Sequence, residues 1–312
     1  MNPPASRPPR PHPHNDLARA LTLMGVCLVL AALAAARYGA GFGGALLTPL
    51  GALGGTVAID GWVYRKRGES FLISHPGRFA LTALWSVGFW GFFEAVNFRL
   101  DNWHYVGAPA QPIFRWAITL FSFATVVPLL LEITDLLDTA GLLKSVSVSP
   151  YPRTGRVLLP AAGAACLGLP LMWPDPFFPL VWAVPFLALE PVAEILGAPS
   201  LLSDWKSGVA RRFALLALAG LIAGFIWQLL NVQAEARWVF SLPHLDHWKI
   251  LEMPVLGYLG FVPFAFSVHT AGAVAARLWD RAGAGTRALL AVALILWVGA
   301  VALGVDRFSR VP

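Results

Sequence analysis

Long apolar segments follow one another along the whole chain, separated by short polar loops. Nine of them, each roughly 20 residues long, are long enough to cross a ~30 Å hydrocarbon core as helices. They are continuously apolar and do not alternate, which favours helices over a membrane barrel. The pattern predicts an all-α polytopic membrane protein with spans at about 20–36, 44–64, 79–98, 116–137, 157–173, 177–197, 213–231, 250–275 and 288–304.

The second half of this pattern repeats the first, so we predict two tandem four-helix repeats and a ninth helix. An even number of spans per repeat makes the repeats parallel, related by a pseudo-two-fold axis along the membrane normal, with a polar site expected at their seam. The predicted units are a disordered tail at 1–16, repeats at 17–145 and 146–280, and the ninth helix with the C-terminus at 281–312. Shifts of 130 to 134 residues superimpose Asp60 on Glu190, Tyr64 on Glu194, Glu94 on Gln228, Asn97 on Asn231 and Asp135 on His269.

Composition and charge support burial in lipid. The chain is 57% hydrophobic and 13% charged, with a mean hydropathy of +0.65, whereas soluble domains carry about 25% charged residues. Sixteen Lys and Arg residues fall on one side of the nine spans and seven on the other. The positive-inside rule then places the N-terminus in the cytoplasm and the C-terminus outside, in the inner membrane. The net charge of +6 therefore indicates topology and not nucleic-acid binding.

Several kinds of site lack support in the sequence. Cys27 and Cys166 both lie in spans, which excludes a disulfide framework. His244 and His247 flank Asp246 at a ligand-like spacing, but on an interfacial loop, so we predict no metal. Nucleotide-binding and hydrolase motifs are absent, and no cofactor is predicted. The proline-rich tail at 1–16 lacks the apolar core of a signal peptide.

Polar residues inside the spans are candidate functional residues, because burying them in lipid costs a few kcal/mol. The topology sorts them into two layers. The structural alternative is that they cap helices or pair with the basic loops. The outer layer contains Glu94, Asn97, Gln228, Asn231 and Glu252. The inner layer, a possible proton path, contains Asp60, Tyr64, Glu132, Asp135, Glu190, Glu194 and His269.

Glu94 has Gln228 as its neutral counterpart, so one repeat keeps an acid and the other does not. A carboxylic acid in an apolar site keeps its proton more readily than in water and can serve as a general acid. Trp103 and Trp238 recur in the two repeats, and aromatic faces stabilise a developing carbocation. Acid and aromatic residues together suit proton-initiated polyene cyclisation. The same residues also suit a proton-coupled transporter or channel at the repeat seam, or a scaffold in which they only join helices.

The segment from Asn231 to Phe266 resembles the integral-membrane lycopene cyclase family. The resemblance rests on Asn231, Trp238-Val239-Phe240, Pro243 and Glu252-Met253-Pro254, with Asn97 and Trp103-His104-Tyr105 in the first repeat. The chain also looks like uncharacterised bacterial polytopic membrane proteins. It lacks the paired glutamates that follow the proline in the cyclases, since Val255 and Leu256 stand there.

The resemblance implies an enzyme acting on a hydrophobic small molecule dissolved in the lipid bilayer. Together with the buried acid, it leads to the hypothesis of a carotenoid or isoprenoid cyclase-like enzyme. In this hypothesis the catalytic residues are Glu94 or Glu252 as the acid and Asn97 and Asn231, which orient it, and the substrate-binding residues are Trp103, Trp238 and Gln228.

Overall fold

The computed structural model describes residues 12–38, 42–149, 155–244 and 247–311, which are mostly helical. In the first half the elements are α1 (Asn15–Tyr38), α2 (Phe42–Ala45), α3 (Leu47–Arg67), α4 (Phe71–Ser74), α5 (Pro76–Leu100), β1 (Trp103–Val106) and α6 (Pro112–Thr139). They continue with α7 (Gly155–Met172), α8 (Pro174–Phe177), a 3₁₀ helix (Phe178–Ala183), α9 (Val184–Leu196), α10 (Leu201–Lys206) and α11 (Arg211–Asn231). The last elements are β2 (Arg237–Phe240), β3 (Lys249–Ile250), β4 (Met253–Pro254), a second 3₁₀ helix (Val255–Gly260), α12 (Phe261–Arg281), α13 (Ala284–Gly304) and a π-helical turn (Val305–Ser309).

Seven helical segments of the described chain are long and apolar enough to cross a membrane, which confirms a multi-pass helical membrane protein. They are Asn15–Tyr38, Pro76–Leu100, Pro112–Thr139, Pro174–Leu196, Arg211–Asn231, Val255–Arg281 and Ala284–Ser309. The two other predicted spans coincide with α3, which ends in three basic residues, and with α7, whose apolar part is short. The count of nine crossings stays a prediction.

Helices α1 and α3 pack closely through glycine. A Cβ atom on Gly25 would lie 2.5 Å from the Gly54 carbonyl oxygen, and one on Gly61 would lie 2.4 Å from the Ala18 carbonyl oxygen. Small residues let two membrane helices approach backbone to backbone. This packing covers α3, which is largely buried although it is the less apolar helix. Helix α1 begins at Asn15, and residues 1–11 of the predicted tail lie outside the described residues.

Two buried asparagines turn the chain from a helix into a strand at the predicted outer side. Asn97 donates to the carbonyl oxygen of Trp103 at 2.8 Å, and its own oxygen accepts from the Asn102 amide at 2.9 Å. Asn231 donates to the Trp238 carbonyl oxygen at 2.8 Å and accepts from the amide of the same residue at 2.9 Å. Both amides therefore hold loop backbone, whereas the sequence indicated that they orient an acid.

The two strands that follow these asparagines pair with each other. In the antiparallel ladder of β1 and β2, Trp103 lies opposite Phe240 and Tyr105 lies opposite Trp238. Pairing satisfies backbone groups that have no water in a membrane interior. Gly107 follows β1 with a φ of +67°, and a Cβ there would lie 2.0 Å from the Glu235 carbonyl oxygen. The ladder thus joins the first and second halves of the chain above the helices.

Two buried carboxyl groups play a matching role at the opposite end of the bundle. Asp60 accepts from the Ser70 hydroxyl at 2.9 Å and from the Leu72 amide at 2.6 Å, at the start of α4. Glu190 accepts from the Ser200 hydroxyl at 2.7 Å and from the Leu202 amide at 2.8 Å, at the start of α10. These two members of the predicted proton path therefore bind the N-termini of short helices.

We expect Asp60→Asn to lower the free energy of unfolding by about 1–3 kcal/mol, because both carboxylate oxygens accept backbone amides and the new NH₂ group faces a donor. Unfolding in mild detergent titrated with sodium dodecyl sulfate measures the change. Asp16→Asn is the matched control, since the Asp16 side chain is 98% exposed. Equal stability of the two variants would contradict the structural role of Asp60.

Candidate functional site

Glu94 is fully buried in α5 and is surrounded by aromatic hydrogen-bond donors. Its Oε1 atom accepts from the indole nitrogen of Trp90 at 2.8 Å, the indole nitrogen of Trp103 at 3.1 Å and the hydroxyl of Tyr105 at 2.6 Å. Its Oε2 atom is buried and has no hydrogen-bond partner within the described residues. We call these four residues, Glu94, Trp90, Trp103 and Tyr105, the Glu94 network.

Local chain geometry explains why the three donors meet at one oxygen atom. Trp90 precedes Glu94 by four residues, so both lie on one face of α5. Asn97 fixes the turn that sends β1 back over the helix end. Alternate residues of a strand point to the same face, which brings Trp103 and Tyr105 onto Glu94 together.

A cavity of about 520 Å³ lies beside this network, within the size range of small-molecule sites. Trp90, Trp103 and Tyr105 line the cavity, whereas Glu94 lies behind them. We call it the aromatic cavity, because its wall includes Trp90, Trp103, Tyr105, Phe123, Phe178, Trp182, Trp227, Trp238, Phe240 and Phe261. It draws on both halves of the chain.

Trp182 joins the second half to the Glu94 network. It lies in the 3₁₀ helix before α9 and stacks on Phe93, with ring centroids 5.0 Å apart and an interplanar angle of 22°. It also stacks on Trp103 at 5.9 Å. Stacked and edge-to-face rings add about 0.5–1.5 kcal/mol each beyond the area they bury. The wall around Glu94 is therefore a packed and well-ordered surface.

The sequence did not lead us to assign a role to three residues of the site, Trp90, Tyr105 and Trp182. Trp90 was detectable from its i, i+4 spacing to Glu94 on a helix. Tyr105 was detectable from its alternation with Trp103 on a strand. Trp182 gave no signal of its own, because only the packing of the two halves brings it to the cavity.

The outer-layer residues predicted from the sequence do not all lie at one site. Gln228 and Trp238 line the aromatic cavity, and the Gln228 Oε1 atom has no hydrogen-bond partner in the described chain. Glu252 lies in the turn between β3 and β4, partly exposed, and it is not among the lining residues. Glu94 and Glu252 thus do not meet in one pocket.

A second opening of about 830 Å³ lies near the inner-layer residues. Some of these residues form ion pairs, and others have no hydrogen-bond partner among the described residues. Asp135 faces Arg67 at 3.6 Å, and Glu194 pairs with Lys206. Both carboxyl oxygens of Glu132 and the Nε2 atom of His269 are buried without a hydrogen-bond partner among the described residues. Asp135 and His269 line the second opening, and Glu132 does not.

No cluster that could hold a metal ion exists among the described residues. Of the predicted ligand-like trio, Asp246 lies outside them.

The Tyr105 phenol lies outside the spanning helices, and burial raises its pKa well above the usual value. The charge of Glu94 and the hydrogen bond to it raise the pKa further. The folded protein therefore favours the neutral phenol. Because the unfolded chain ionises first, this group reduces stability as the pH rises above about 10.

We expect Tyr105→Phe to leave the tyrosinate absorbance unchanged in an alkaline titration near pH 10, since Tyr105 stays protonated there. The same two proteins titrated in denaturant are the control, because the unfolded wild type should exceed the unfolded variant by the signal of one tyrosine. The same difference between the folded proteins would contradict the raised pKa of Tyr105.

Comparison with protein-family models, with curated proteins and with solved structures found no match to this chain.

Proposed function

We propose that the protein is an integral membrane enzyme that holds an isoprenoid-type molecule in the aromatic cavity and protonates it, as a cyclase does. One observation carries this proposal. The three donors to the buried Glu94 carboxyl group are all side chains of the cavity wall. An acid in such a position reaches a ligand through the groups that touch the ligand.

Tyr105 is the route for the proton. Tyr105 is a residue of the cavity wall, and its hydroxyl lies 2.6 Å from the Glu94 Oε1 atom. In the proposed step Glu94 is protonated, and the Tyr105 hydroxyl rotates from the Glu94 oxygen toward the ligand. The hydroxyl gives its proton to one carbon of a double bond, while the Glu94 carboxyl group gives its proton to the Tyr105 oxygen. The π electrons form the new C–H bond and leave a cation on the neighbouring carbon. The N–H groups of Trp90 and Trp103 stabilise the carboxylate that remains.

The cation is then used within the substrate. A second double bond attacks it, which closes a ring, and loss of a proton to the Glu94 carboxylate through Tyr105 ends the reaction. The result is an isomerisation with no net redox change. Aromatic rings of the cavity wall can stabilise the positive charge. The apolar wall excludes water, which would otherwise add to the cation.

A transporter or channel at the inner opening is the second candidate. The unpaired Glu132 carboxyl group, next to the opening lined by Asp135 and His269, favours it. Two facts count against it. Asp60 and Glu190 are committed to the N-termini of α4 and α10, and Glu194 is paired with Lys206. The enzyme proposal therefore has the better structural support.

We also propose that the chain has nine crossings arranged as two parallel four-helix repeats plus one helix. Asn97 and Asn231 make equivalent hydrogen bonds, and Asp60 and Glu190 each bind a serine ten residues later. Trp103 corresponds to Trp238, and Tyr105 corresponds to Phe240. In the ladder Trp103 lies opposite Phe240 and Tyr105 lies opposite Trp238. Exchanging β1 and β2 therefore leaves the pairing unchanged, which supports a two-fold relation between the strands.

We expect Glu94→Gln to reduce product formation by about 100-fold or more, the usual contribution of a general acid. Cells producing lycopene and a panel of other isoprenoids would express the protein, and their pigments and extracted lipids would be profiled. Tyr105→Phe should show a similar loss, since it removes the relay hydroxyl.

Glu235→Gln is the control, because Glu235 is exposed. A larger loss in Glu252→Gln than in Glu94→Gln would assign the acid to the other carboxyl group. An unchanged profile across the panel, with verified membrane expression, would contradict the enzyme proposal and favour a transporter or a scaffold.

We expect the two termini to lie on opposite sides of the membrane, because nine is an odd number of crossings. Fusing a reporter that is active only in the cytoplasm to each terminus tests this. Activity is expected at the N-terminus alone. Activity at both termini would contradict the nine-span topology.

A further inference from the structure

The aromatic cavity is not apolar throughout, because three arginines, Arg115, Arg237 and Arg310, line it. The Nε atoms of Arg237 and Arg310 are both buried and lack a hydrogen-bond partner within the part of the chain that the structure describes. A guanidinium group carries five donors and stays charged at all ordinary pH values. Leaving a buried donor unsatisfied costs about 1–3 kcal/mol. These two side chains therefore favour a ligand that accepts hydrogen bonds.

The charges at this part of the cavity do not balance. Its charged residues among those described are Arg115, Arg237, Arg310 and Asp306. Arg115 and Asp306 are held to each other by two hydrogen bonds of 2.6 Å each. Asp306 also accepts from the Trp116 indole nitrogen at 2.9 Å. Arg310 also interacts electrostatically with Asp306. Three arginines and one aspartate thus leave an excess of two positive charges at this part of the cavity.

Strand β1 positions the two arginines on either side of itself. Arg237 lies on β2, opposite Val106 of β1. Arg310 is bridged to Tyr105 on the other edge, where the Val311 amide donates to the Tyr105 carbonyl oxygen at 3.0 Å. Neighbouring strands are about 4.8 Å apart, so the two backbones are roughly 10 Å apart. Paired residues share a face, so Arg310 lies on the Tyr105 face of β1 and Arg237 on the Val106 face. Both residues line the same cavity.

We propose that the ligand of the aromatic cavity is an amphiphile whose phosphate-type head group binds where Arg237 and Arg310 line the cavity, with its isoprenoid chain among the aromatic rings. Arginine binds phosphate oxygens bidentately. A phosphate monoester carries a charge near −2 at neutral pH, which matches the excess of two positive charges better than a carboxylate does. This inference rests on the proposed function for the nature of the chain, but head-group binding does not require proton transfer.

The head group and the acid are close along β1, because Tyr105 belongs to the Glu94 network and is bridged to Arg310. A head group fixed by the arginines therefore orients the chain against the relay hydroxyl. Such anchoring is the kind of remote binding that positions a substrate for reaction. The isoprenoid chain packs against the aromatic residues of the cavity, and the phosphate stays beside the arginines.

Equilibrium binding to the purified full-length protein in an uncharged maltoside detergent tests the inference. The probes are radiolabelled geranylgeranyl phosphate, geranylgeraniol and inorganic phosphate. We expect the prenyl phosphate to bind at least 10-fold more tightly than the alcohol with the same chain, and inorganic phosphate to bind weakly. Arg237→Gln and Arg310→Gln should each weaken prenyl phosphate binding by about 10-fold or more, as expected for a lost charge-assisted hydrogen bond.

The alcohol serves as a control for folding, since its affinity should stay unchanged in both variants if the cavity is intact. Arg307→Gln is the matched control for charge, because Arg307 is exposed, lies three residues from Arg310 and is not among the lining residues. It should bind all three probes like the wild type.

Equal affinity for the phosphate and the alcohol would overturn the inference. Retention of the 10-fold preference in both arginine variants would also overturn it, and tight binding of inorganic phosphate alone would indicate a free-phosphate site instead. Failure of the proposed function gives a different result, namely arginine-dependent binding of the prenyl phosphate with no product from any isoprenoid. Conversely, product formation from neutral polyenes without head-group preference would leave the enzyme proposal intact and remove this one.

Discussion

A carboxyl group buried in a membrane helix needs hydrogen-bond donors from the protein, because lipid offers none. In this protein Glu94 receives all three from aromatic side chains. This one requirement shapes the site around it. Trp90 must lie one helical turn away, and β1 must return over the end of α5. The same rings also line the aromatic cavity, so one set of residues serves both as the donors to the buried acid and as cavity wall.

Much of this could be predicted from the sequence, and the limits have physical causes. The apolar segments predicted the helices, and the cost of burying an acid identified Glu94. The hydrogen-bond partners of Asn97 and Asp60 could not be predicted, because a buried amide or acid can serve a loop as well as a ligand. Trp182 lay beyond prediction because its position depends on how the two halves pack.

Comparing matching positions in the two halves distinguishes residues that hold the fold from residues of the candidate site. Residues that recur with the same hydrogen bonds hold loops in both halves, as Asn97 and Asn231 do. Three of the four residues of the Glu94 network instead differ between the halves. A shift of 134 residues pairs Trp90 with Gly224 and Glu94 with Gln228, and a shift of 135, which pairs Trp103 with Trp238, pairs Tyr105 with Phe240.

These differences follow from one another. Phe240 has no hydroxyl, and Gly224 leaves room for the ring of Phe261, which a Cβ atom would approach to 2.2 Å. A carboxyl group at position 228 would therefore lack two of the donors that Glu94 has, and the neutral amide of Gln228 is the less costly group there. The loss of the acid and the loss of its donors thus belong together. The first half keeps the buried acid with all three of its donors, and the second half contributes residues to the cavity wall.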